Sequence, residues 1–102
     1  MAKFELPIYN TKTGEIEKMV KRNFMPVNLY IRFQKLAEKT SGNKVKNDEE
    51  MFLLLQDLFL ETFPEMTKDE YLNQTDIAQI LNMWASIINK STELSDGNSK
   101  NA

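Results

Sequence analysis

Chemistry in this chain would have to come from carboxylates, hydroxyls and lysines, because the sequence contains no histidine and no cysteine. The commonest general base, the thiol nucleophile and the usual zinc ligands are therefore missing together. Two adjacent pairs, Glu49 with Glu50 and Asp69 with Glu70, could in principle hold a cation or share a proton. Each pair sits where a helix is expected to begin, and carboxylates there favour the positive end of the helix dipole and bind its free amides. Capping accounts for both. Asp48-Glu-Glu50 also lacks the alternating oxygens and central glycine of a calcium loop, and Gly14, Gly42 and Gly97 are too scattered to cradle a phosphate. No catalytic residue, metal ligand or cofactor is assigned, and the chain reads as a binding protein and not an enzyme.

Binding by charge is the next possibility. Arg22, Arg32, Lys35, Lys39, Lys44 and Lys46 make the central third locally basic. No basic stripe with interleaved aromatics accompanies them, and the segment Thr75 to Lys90 carries Lys90 as its single cation, which argues against a DNA-reading helix. Fifteen acidic against thirteen basic residues give a formal charge of -2, so nucleic acid is a poor first partner. The absence of cysteine suits a reducing compartment. Met1-Ala-Lys-Phe-Glu-Leu-Pro lacks the apolar core of a signal peptide, and no stretch approaches the roughly 20 apolar residues that span a bilayer. A cytoplasmic protein without a membrane segment is expected.

With 102 residues, 41% of them hydrophobic, and three Gly and three Pro, the chain has material for one core. Residues 1–90 are read as a single globular domain and 91–102 as a flexible polar tail, because little after Lys90 is apolar. Phe4, Leu6 and Ile8 alternate with Glu5 and Pro7, which predicts an edge strand. Asn10-Thr-Lys-Thr-Gly14 has turn chemistry, and Ile16 and Val20 on one face continue a hairpin over about 3–22. After Pro26 the period changes: Leu29, Phe33, Leu36 and Ala37 predict a helix over about 28–40, with Asn28 as its cap and Gly42 in its stop.

A second helix is predicted over about 48–63, ended by Pro64. At about 100° per residue its apolar side chains form three faces: Met51, Leu54, Leu55 and Leu58; Phe52, Phe59 and Phe63; Leu53 and Leu60. Only Gln56, Asp57 and Glu61 interrupt the circumference. Thr67-Lys-Asp-Glu70 matches a capping box that starts one or two turns, and Thr75-Asp76 caps a last helix over about 76–89 with Ile77, Ile80, Leu81, Trp84, Ile87 and Ile88 as its stripe. The fold class is mainly α: a small three-to-four-helix domain preceded by an N-terminal β-hairpin, with a disordered C-terminal tail. Phe52, Leu54, Leu55, Leu58, Phe59 and Trp84 are the expected core, Trp84 being covered by the second helix. A helix apolar nearly all round outruns the cover available in a chain this short. Met51, Leu53 and Leu60 are therefore the candidate partner-binding residues, through which the protein would bind helices or self-associate.

The order of elements resembles the tail assembly chaperones of long-tailed phages and prophages of Gram-positive bacteria. The resemblance extends over about residues 1–89. It rests on Phe4-Glu-Leu-Pro-Ile-Tyr, on Leu29-Tyr-Ile-Arg-Phe-Gln-Lys-Leu, on Asp48-Glu-Glu-Met-Phe-Leu-Leu-Leu, and on Phe63-Pro-Glu-Met-Thr-Lys-Asp-Glu-Tyr-Leu. It implies a protein of the host cytoplasm that binds the tape measure protein, keeps it soluble and promotes assembly of the tail tube protein around it. Such a chaperone is absent from the mature virion. The family has no catalytic signature to carry over, and its contact positions follow no motif that could be placed on these residues. The competing expectation is a small phage regulator or adaptor that binds nucleic acid or a host protein through the basic central third.

Overall fold

The alternating N-terminus pairs as a two-stranded antiparallel hairpin, β1 (Phe4–Tyr9) with β2 (Ile16–Arg22). In the computed structural model, which describes residues 4–42 and 47–101 with side chains up to residue 89, four helices follow: α1 (Val27–Ser41), α2 (Asp48–Thr62), α3 (Lys68–Asn73) and α4 (Ile77–Asn101). Lys44 and Lys46 of the basic central third lie outside the described residues.

The turn between the strands is built by Asn10, whose Oδ1 accepts the amides of Lys12 and Thr13 at 2.8 and 3.1 Å. Gly14 closes it at φ +77, in the left-handed region that glycine enters at no steric cost. Leu6 pairs with Val20 and Ile8 with Lys18, but Tyr9 pairs with Ile16, which leaves Glu17 as an extra residue on β2. That irregularity corrects one expectation. The inserted residue flips the alternation, so Ile16 leaves the buried face that Val20 keeps and is exposed.

Each helix starts where its local chemistry allows. α1 follows Pro26 directly, because a proline φ of -58 already suits helix entry; Asn28 lies inside the helix, and no side chain caps it. Asn47 Oδ1 accepts the Glu50 amide at 2.9 Å and starts α2. Thr67 and Glu70 form the reciprocal capping box of α3. Asp76 Oδ2 accepts the Gln79 amide at 3.3 Å at the head of α4, while Thr75 Oγ1 donates instead to the Tyr71 carbonyl at 2.6 Å. α4 continues past the expected end near Asn89 to Asn101. The side chains that the flexible-tail expectation concerns lie outside the described ones.

α1 packs on α2 and α4, α2 on α3, and α4 on β1. Phe59 is the hub: its ring meets Phe33 edge-on at 5.6 Å, stacks on Phe63 at 6.4 Å and touches Tyr71 at 5.9 Å. Phe4, Leu6, Ile8 and Val20 close the core from the hairpin side. Two expectations for α2 are corrected. Leu54 is exposed and not core, and Gln56, expected to interrupt the apolar circumference, is buried. With α1 on one flank and α3 on another, the outward strip of α2 is the one carrying Leu53, Leu54, Asp57 and Glu61, and Gln56 falls beneath the neighbours.

Candidate protein-binding surfaces

The capping box decides where α3 begins, and so where Tyr71 and Leu72 point. Tyr71 turns inward, and its hydroxyl donates to the Phe52 carbonyl of α2 at 2.8 Å. Burial pushes the phenol well above its ordinary pKa, so it acts as a fixed donor. Leu72, the next residue, is 49% exposed, and Ile77 at the head of α4 is 60% exposed. Between them lies a depression of about 180 Å³ lined by Phe52, Tyr71, Leu72, Thr75, Ile77 and Ile80. Its two side-chain hydroxyls, on Tyr71 and Thr75, are both engaged with backbone carbonyls. The rest of the lining is mainly apolar. Such a hollow offers no free hydroxyl donor to orient a polar substrate, and its mainly apolar lining can receive an apolar side chain.

The residues singled out from sequence are divided by the fold. Leu53 is 45% exposed, whereas Met51 and Leu60 are half-buried and packed against the core. Leu53 and Leu60 share a helix face, roughly 20° apart, and Met51 stands on a different one. The structure does not bring the three together.

A surface missed in the sequence lies at the start of α1. Val27 is 74% exposed, and Phe24 and Ile31 are also exposed. Val27 and Ile31 are four residues apart on the side of α1 opposite Leu29 and Leu36, and that off-stripe spacing was the available signal. Arg22 lies over the Phe24 ring at 5.1 Å and donates through Nη1 to the carbonyls of Glu61 and Thr62 at 3.0 Å each. The pair therefore fixes the corner between β2 and α1 against the end of α2.

The carboxylates of Asp69 and Glu70 have structural partners. Asp69 accepts from Asn73 at 2.8 Å. Glu70 accepts the Thr67 amide at 2.8 Å and pairs with Lys18 Nζ at 3.0 Å. The Thr67 amide chiefly, with Lys18 in support and burial opposing, holds the Glu70 carboxyl below its usual pKa. Among the described residues no group of three or more His, Cys, Asp or Glu could hold a metal ion, and no helix is long and apolar enough to cross a membrane.

No protein-family model, no curated protein and no solved structure matches the chain.

Proposed function

We propose that this chain is a protein-binding module of the tail assembly chaperone kind, which covers apolar segments of a tape measure protein in the host cytoplasm and hands it to assembling tail tube protein. The observation that carries the binding reading is the Leu72 and Ile77 depression: two large aliphatic side chains stand exposed around a hollow whose hydroxyls are already satisfied. Leu81, one turn beyond Ile77 on α4, is exposed as well and extends the apolar row. A row of this kind matches the anchors of an amphipathic helix, which enter a groove at intervals of three and four residues. Exposed apolar surface lowers solubility unless it serves a partner, which is the physical reason to attach function to it. The identity of the client rests on the resemblance of the residue patterns given above. The resemblance also implies that the finished virion lacks this protein.

The test looks beside the gene for a long helix-rich reading frame, whose absence would count against the proposal, and co-expresses the chain with its product. The client should stay in the supernatant and co-purify, and Leu72→Glu with Ile77→Glu should weaken capture by about tenfold or more while the circular dichroism of the chain is unchanged. A client that precipitates beside a folded wild-type chain sinks the proposal.

A further inference from the structure

The connection between α1 and α2 is short, so the two helices run antiparallel, and the ion pair of Arg32 with Glu61 marks their register. One turn from that pair, Lys35 and Leu36 come level with Asp57 and Leu58; a further turn brings Lys39 level with Leu54. Together Arg32, Lys35, Leu36, Lys39, Leu54, Asp57 and Leu58 line an open groove of about 240 Å³. Its floor is aliphatic and Leu54 in it is 37% exposed. Its α1 wall is positive and its α2 wall, with Asp57 and Glu61, is negative. Among the described residues Lys35, Lys39 and Asp57 have no ion-pair partner.

We propose that this groove is the interface of a homodimer, occupied by the same groove of a second copy of the chain. A twofold axis running along the groove lays α1 of one copy over α2 of the other at the same level. Lys35 then faces Asp57 of the second copy, Arg32 faces Glu61 of the second copy, and the Leu36, Leu54 and Leu58 floor closes on its own image. An axis across the groove would set cation on cation, so charge selects the first arrangement. An acidic peptide or a nucleic acid would match the α1 wall and be repelled by the α2 wall, and the floor offers no aromatic ring for a base to stack on.

The inference is independent of the client reading: a monomer that captures client would remove the dimer alone, and a dimer that captures nothing would remove the client alone. Sedimentation equilibrium on the full chain reads it. The expected mass is that of a dimer of the 11.9 kDa chain, dissociating as salt rises. Asp57→Lys should weaken the dimer about tenfold, since each change acts at two symmetric contacts, and adding Lys35→Glu to the same chain should restore it. Leu54→Glu should leave a folded monomer by circular dichroism; should it unfold, the charge-swapped pair still decides the matter. A monomer at every concentration up to about 1 mM, a dimer that none of these changes moves, or a failure of Lys35→Glu to rescue Asp57→Lys would each overturn the proposal.

Discussion

The indole Nε1 of Trp84 donates a hydrogen bond to the main-chain carbonyl of Phe33 at 3.3 Å, tying α4 to α1 inside the core. The sequence predicts a buried Trp84 covered by the second helix; the residue is buried, but its polar handle goes to α1. Indole combines a large apolar area with one donor, and a buried donor must find an acceptor.

Trp84→Ala should therefore destabilise the domain by about 3 to 5 kcal/mol, as a large-to-small core change. Trp84→Phe keeps most of the apolar volume and should lose less, about 1 to 2 kcal/mol, from the missing donor and the smaller ring. Urea unfolding of the two variants separates the contributions. Equal losses would mean that packing around the indole is looser than the structure has it.

Glu70 supplies a pH-dependent contribution. Its folded carboxyl ionises below its usual value because the Thr67 amide and Lys18 favour the charged form. The unfolded state therefore binds the proton more tightly, so the stabilisation is present above the ordinary carboxylate pKa of about 4.3 and is lost as pH falls through the lowered folded value. Glu70→Gln keeps an oxygen for the Thr67 amide but removes the charge and the Lys18 pair, so it should cost no more than about 1 kcal/mol near neutral pH and flatten part of the acid limb of stability. Thermal melts of both proteins between about pH 3 and pH 7 test it; parallel acid limbs would rule out Glu70 as a contributor.

Leu53 and Leu60 should separate under the same substitution. Leu53→Glu changes an exposed position and should shift stability by no more than about 0.5 kcal/mol, whereas Leu60→Glu puts a carboxylate against the core and should cost about 2 kcal/mol or more. Chemical denaturation of the two single variants measures both. If Leu53→Glu is the more damaging, the outer strip of α2 has been assigned to the wrong side.

The elements themselves were legible in the sequence, because each is decided by short-range chemistry. Asn10 and Gly14 make the turn, Thr67 and Glu70 close a capping box and Asp76 starts α4, whereas the cap expected at Asn28 lies inside α1, which Pro26 opens. Period two and period 3.6 likewise marked Leu6, Ile8, Leu29, Phe33 and Trp84 as inward-facing. Exposure of a particular apolar side chain was not legible, since it depends on which neighbour arrives. α2 is apolar nearly all round, so its own periodicity cannot say that α1 and α3 cover Leu55, Gln56 and Phe59 and leave Leu53 and Leu54 open. The hollow beside Leu72 and Ile77 is lined by Phe52 and Tyr71, which meet across 19 residues of chain through the Tyr71 hydroxyl and the Phe52 carbonyl. The outward turn of Ile16 follows from one extra residue, Glu17, in the hairpin ladder, and the pairing of Lys18 with Glu70 depends on α3 arriving beside β2. Local rules decide where an element begins; only the packed neighbours decide which of its faces is left for a partner.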